Sequence, residues 1–202
     1  MTTAKARRGG PRKSRQNPDE RQLLERLVAG EPEALSELYD RYSGMLLGLS
    51  YKILHDASDA EEVLQEVFLQ VWRQASRYDS SKSSISTWLV LITRSRSIDR
   101  LRSRKVVDKT VTAAHVENPR THASPEGVED VLTIERRNRL LDELRRLPQE
   151  QREVLELSFY RGLTQREIAQ STDTPLGTVK TRTLLAMKKL RQALQEDIRD
   201  LL

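Results

Sequence analysis

Wherever apolar residues recur in this chain they do so at three- and four-residue steps, as in the stripe Val63, Leu64, Val67, Phe68, Val71 and Trp72. That spacing lines one side of a helix, whereas a sheet face needs alternation at every second residue. No stretch alternates in that way. The fold class is therefore all-α. Leu23, Leu24, Leu27 and Val28 predict a first helix that Gly30-Glu31-Pro32 ends. A second follows Ala34, Leu35, Leu38, Tyr39 and Tyr42, then Leu46, Leu49, Ile53 and Leu54. Ser58-Asp59-Ala60-Glu61 reads as a capping box opening the third. A fourth starts near Ser84 and is expected to bury Ile85, Trp88, Leu91, Ile92, Ser95 and Ile98.

Composition breaks the chain twice. Residues 1–16 carry Lys5, Arg7, Arg8, Arg12, Lys13 and Arg15 and no acid, leaving 29 basic against 30 acidic residues in the rest. With almost nothing apolar through Asn17, residues 1–18 read as a disordered basic tail suited to phosphates. An amphipathic face, which a transit peptide would need, is missing from it. Between 104 and 128, Asn118-Pro119, Ser124-Pro125 and Gly127 punctuate a polar stretch. Two small helical domains, 19–103 and 129–202, are thus joined by a flexible linker at 104–128.

Much chemistry is excluded. There is no cysteine, so neither a disulfide framework nor a thiolate zinc site can form. His55, His115 and His122 do not cluster, and neither a glycine-rich phosphate loop nor a GxSxG turn occurs. No catalytic residue, metal or cofactor is expected. No apolar run approaches a membrane helix, so a cytoplasmic protein without direct membrane insertion is expected.

Charge then distinguishes two kinds of surface. Residues 19–75 hold twelve acids and five bases, whereas 94–105 holds six bases and one acid. On the third helix Glu62, Gln65, Glu66, Leu69 and Arg73 fall opposite the apolar stripe, an acidic face with one leucine at its centre that suits a basic protein helix. On the fourth, Thr93, Arg96, Ser97 and Arg100 are expected outward, with Arg94 flanking and Arg102, Arg104 and Lys105 beyond. Short hydroxyls among arginines fit phosphate and base contacts. The polar loop Arg77-Tyr78-Asp79-Ser80-Ser81-Lys82-Ser83-Ser84 has small side chains flanked by aromatic and basic groups, where an unstacked base can be held.

In the second domain Leu140, Leu141, Leu144 and Leu147 close one helix, and Pro148 begins another through Val154, Leu155 and Phe159 to Gly162. Thr164-Gln165-Arg166-Glu167 is a second capping box. After a turn at Thr172 and Asp173, Thr174-Pro175 starts a long helix with Val179, Thr183, Ala186, Leu190 and Leu194 inward. Short helix, tight turn and long basic helix make a helix-turn-helix. Its outward side holds Gly177, Lys180, Thr181, Leu184, Leu185 and Lys188, and two leucines there suit thymine methyl groups in a major groove.

The acidic DAEEVLQEVFLQVW helix, then TWLVLITRSRSIDRLR, then LPQEQREVLELSFYRGLTQREIAQSTDTPLGTVKTR resembles the extracytoplasmic-function group of bacterial sigma-70 family sigma factors over residues 19 to about 195. The resemblance implies sigma domains 2 and 4 and reversible binding to core RNA polymerase through the beta-prime clamp helices and the beta flap. It also implies recognition of minus-ten and minus-thirty-five elements of promoter DNA, and control by an anti-sigma factor. Glu62, Gln65, Glu66 and Leu69 match the polymerase-docking positions. Tyr78, Asp79, Ser80 and Lys82 of the loop, Trp88, and Thr93, Arg96, Ser97 and Arg100 match the minus-ten region. Thr178, Lys180, Thr181, Leu184, Leu185 and Lys188 match the minus-thirty-five helix. Leu185 and Met187 stand where arginine is common in the family, which implies weaker non-specific DNA affinity. A lone helix-turn-helix regulator leaves the acidic face and the Trp88 helix unused, and a nucleic-acid-processing enzyme lacks a convergent carboxylate or metal-ligand set.

Overall fold

A computed structural model describes residues 18–80, 82–108 and 140–199. The tail at 1–17, Ser81, the linker from 109 onward and the chain to 139 lie outside the described residues, as do the side chains of Lys105 and Leu194. Helices α1 (Pro18–Val28), α2 (Pro32–Leu54) and α3 (Ala57–Gln74) are followed by a 3-10 turn at Ala75–Arg77 and by α4 (Ile85–Asp108). Helical turns at 140–146 (α5) then lead to α6 (Gln149–Tyr160), α7 (Gln165–Ser171) and α8 (Leu176–Arg199). No strand occurs among the described residues. Helix α4 runs past residue 104, where the linker was expected to begin, as far as Asp108.

The ends of these helices have local causes. Gly30 (φ +81) stops α1, its N–H bonding to Leu27 C=O while Glu31 N–H reaches Arg26 C=O, the paired bonds of a glycine C-cap. Arg26 then bridges Glu31 and Glu37, each at 2.9 Å, and ties α1 to α2. The buried Tyr42 hydroxyl donates to Glu20 Oε1 at 3.2 Å, and burial beside that carboxylate pushes the phenol up to about 12. The cap of α3 differs from the one expected at Ser58. It is Asp56, which sits in extended backbone and accepts from Asp59 N–H at 2.9 Å. Asp56 directly follows the left-handed His55 that closes α2, so the α2–α3 turn leaves no room for a cap further on.

Leu23, Leu27, Leu38, Leu46, Ile53, Val63, Val67, Val71, Ile85 and Leu89 fill one continuous core in the first domain. The inward face of α4 is rotated from the expected one. Ile85, Leu89, Ile92, Thr93 and Ser97 point inward, whereas Leu91 is 55% exposed, Ser95 is exposed and Trp88 is half-buried. Ser50 of α2 is buried opposite them, with 3.3 Å between the Oγ atoms of Ser50 and Ser97. Three small hydroxyl side chains let α2 and α4 approach closely, and Ser97 satisfies its donor locally on Thr93 C=O at 2.8 Å.

The second domain has two smaller clusters. Leu147, Ala186 and Leu190 form one between α5 and α8, and Val154, Ile168 and Val179 the other, with Ala169 packed against it. The domains touch where α4 meets the C-terminal end of α6.

Candidate nucleic-acid interface

The reading helix is placed by its turn. Thr164 accepts from Glu167 N–H while the Glu167 carboxylate accepts from Thr164 N–H at 2.7 Å, the reciprocal box expected at the start of α7. At its end Ser171 and Thr172 hydroxyls donate to Ile168 C=O, and Thr174 N–H reaches Ala169 C=O across Asp173, which adopts the left-handed conformation (φ +47). Polar residues here close the turn by bonding its carbonyls. Helix α8 then leaves with Thr178, Lys180, Thr181, Leu184, Leu185 and Lys188 all exposed, Leu184 at 69%. Met187 is exposed beside them. Thr181 donates to Gly177 C=O at 2.9 Å, so it offers a methyl group and oxygen lone pairs outward.

On α3, Glu62, Gln65, Glu66 and Leu69 share one exposed face, with Leu69 at 54%. Its edge is set by α4. Arg100 pairs with Glu62 and lies 3.8 Å from Asp59, and the Glu62 hydrogen bond above all raises the guanidinium pKa. Arg96 Nε donates to Gln70 Oε1 at 2.8 Å. Arg104 reaches Asp59 at 2.6 Å and Asp56 at 3.3 Å. Arg96 and Arg100 therefore border the α3 face.

Thr93 and Ser97 do not belong with them. Both are fully buried against α2, which removes them from any DNA-facing surface. The cause is the rotated phase of α4: hydroxyl side chains complete its inward stripe.

The 78–84 loop is tied from within. Tyr78 is half-buried with its ring 5.1 Å from Trp88, and its hydroxyl donates to Ser83 C=O at 2.6 Å. Lys82 pairs with Asp79 at 3.1 Å, and Ser84 Oγ accepts from Thr87 N–H to cap α4. Asp79, Ser80 and Lys82 are exposed, and Ser80 borders a groove lined by Arg21, Leu24, Glu25 and Val28 of α1. Sequence reasoning missed that α1 supplies this wall, since nothing in its amphipathic pattern marks a neighbour so distant in the chain. It also left Lys52 unconsidered and Arg94 and Arg102 at the margin; Lys52 and Arg94 contact the end of α6, and Arg102 the turn after it at Gly162. Among the described residues no acidic or histidine cluster fit for a metal occurs, and no helix is long and apolar enough to cross a membrane.

Comparison with known proteins follows the same two-part division. Residues 38–106 match the family described as Sigma-70 region 2, and residues 137–190 match Sigma-70, region 4. The ECF RNA polymerase sigma factor SigK of Mycobacterium ulcerans (strain Agy99) is 34% identical over 175 residues, covering 85% of this chain and 91% of that protein. SigK of Mycobacterium sp. (strain KMS) is 30% identical over 175 residues, covering 85% and 89%. Among solved structures, Rhodobacter sphaeroides SigE in complex with the anti-sigma ChrR is 32% identical, covering 87% of this chain and 97% of that one at a TM-score of 0.45. An acidic helix face with a central leucine, a tied loop ahead of a basic helix, and a helix-turn-helix occur here in the order and at the positions of these matches, and the chain belongs to the ECF RNA polymerase sigma factors of the sigma-70 family.

Proposed function

We propose that this sigma factor divides its work between the two domains, each using a surface built from a few exposed side chains. As a member of its family it directs promoter-specific transcription initiation by RNA polymerase, which performs the chemistry. The face of Glu62, Gln65, Glu66 and Leu69 docks the clamp helices of the beta-prime subunit, because acids around one apolar centre complement a basic helix. The loop carrying Tyr78, Asp79, Ser80 and Lys82 receives an unstacked minus-ten base, with the Ser80 groove beside it. Lys180, Thr181, Leu184, Leu185 and Lys188 enter the minus-thirty-five major groove, and Thr178 lies near the phosphates.

The observation that carries this reading is Leu69. What distinguishes it is its setting: more than half exposed and ringed by Glu62, Gln65 and Glu66, it supplies the apolar centre of an acidic patch complementary to a basic partner helix. An anti-sigma factor that covers these surfaces is the regulator to expect, in keeping with the ChrR complex of the R. sphaeroides relative. The site of action is the cytoplasm, where the polymerase works.

Competition for core polymerase tests the docking face. Glu66→Lys with Leu69→Ala is expected to weaken core binding at least tenfold and to leave duplex DNA binding by α8 unchanged. Undiminished competition by the double variant overturns the assignment.

A further inference from the structure

Helix α1 lies ahead of the 38–106 stretch that matches Sigma-70 region 2, yet it is built into the first domain at several points. Leu23 and Leu27 are buried in the core, Glu20 accepts from the Tyr42 hydroxyl at 3.2 Å, and Arg26 reaches Glu37 at 2.9 Å. It also packs on the 3-10 turn that leads into the 78–84 loop. Arg21, Leu24, Glu25 and Val28 recur at three- and four-residue steps and so share one side of the helix. With Ser80 of the loop they line a groove of about 520 Å³, within the range of small-ligand sites.

The chemistry of that groove favours a base over a phosphate. Val28 is 50% exposed and Leu24 half-buried, which offers apolar contact to a flat ring. Arg21 and Glu25 are joined at 3.0 Å and cancel each other's charge, so a phosphate gains little there and meets the carboxylate. A base edge, by contrast, brings an acceptor for arginine and a donor for glutamate. Charge for the strand itself enters close by. The residues ahead of Pro18 hold six bases and no acid, and Arg21 stands one turn inside the helix. That basic segment has almost nothing apolar to lay against Leu24 and Val28, so it is a poor occupant of the groove and a good neighbour for a polyanion that fills it.

We propose that this groove takes a second unstacked base of the melted strand, the neighbour of the one received at Tyr78, and that Arg21 and Glu25 select it by its edge. This rests on the base-capture reading of the loop given above. Ser80 is two residues from Tyr78, at most about 7 Å of chain, so adjacent nucleotides of one strand reach both places. Extruding one base takes a stacking partner from the next, which lowers the cost of turning the second out. Leu24 and Val28 then replace part of the stacking contact that the second base has lost. Helix α1 is thereby a specificity element, held against the loop by its bonds to α2.

The test uses holoenzyme reconstituted from the full chain and core polymerase, and a duplex library with a premelted bubble randomised along its non-template strand. Bound DNA is recovered and sequenced. The unaltered chain is expected to enrich one base at each of two adjacent positions, by about fivefold or more. Tyr78→Ala should flatten the first preference. Arg21→Ala with Glu25→Ala should flatten the second alone, and because both side chains are exposed their loss leaves the fold intact. Val28→Glu sets a carboxylate in the groove and should flatten the second preference with Arg21 and Glu25 still present. Enrichment at one position only, or a second preference that survives both α1 variants, overturns the assignment of the groove and leaves that of the loop standing. Enrichment at no position overturns the base-capture reading of the loop, and that of the groove with it.

Discussion

Thr93 Oγ1 is enclosed with no hydrogen-bond partner among the described residues. An enclosed hydroxyl left unpaired costs roughly 1–3 kcal/mol. Thr93→Val removes it at constant shape, so the melting midpoint is expected to stay or rise while DNA affinity is unchanged. Lost DNA affinity at unchanged stability would return Thr93 to the DNA face. The outward residues of α8 behave differently, because they are exposed and the bond from Thr181 to Gly177 C=O stays within the helix. Thr181→Ala or Leu184→Ala is expected to leave stability within about 0.5 kcal/mol. Either should relax preference at one or two positions of the upstream element, each base contact being worth about 1–3 kcal/mol. Competition between single-base promoter variants reads that preference directly. Leu69 and Leu184 were legible in the sequence because each is apolar where the periodicity demands polarity. Thr93 and Ser97 were not, because a small hydroxyl fits a close helix contact as well as it fits a phosphate.

Whole elements were legible to the degree that their inward stripes are apolar. Helix α3 buries an unbroken series from Ala60 to Val71, and its phase follows from that series alone. Helix α4 has an inward stripe finished by hydroxyls, an exposed Leu91, and an Ile98 that meets Gly162 of the other domain. An apolar count therefore turns α4 to the wrong side. The cap of α3 was misplaced for a related reason, since Ser58 and Asp56 are both capping residues and only the abrupt end of α2 selects Asp56. Asp56→Ala is expected to cost about 1 kcal/mol of unfolding free energy at neutral pH, measured in urea. The Asp59 N–H, then Arg104, hold the Asp56 carboxyl below its ordinary value. A carboxylate favoured by folding contributes fully above its unfolded value of 3.8 and loses that contribution as pH falls through the lower folded value. The deficit of the alanine variant should shrink across that acid window. A deficit that stays constant with pH would mean that charge plays no part in the cap.

At the scale of the molecule, the two domains are unequally built. The first shares one core among α1, α2, α3 and α4, whereas the second relies on two clusters of three buried residues each. Calorimetry of the free chain is expected to resolve two steps, the lower belonging to the second domain. Duplex DNA carrying the upstream element should raise the lower step alone, by about 2.7 kcal/mol at a hundredfold excess over its dissociation constant. One coincident transition, moved as a whole by that duplex, would show the domains to be a single cooperative unit. Helix α8 is common to both small clusters, giving Ala186 and Leu190 to one and Val179 to the other. Peeling it away on either side opens both. Proteases that sample transient openings will then meet this segment first, so the lifetime of the protein in the cell depends on how much of it is held on polymerase or DNA at any moment.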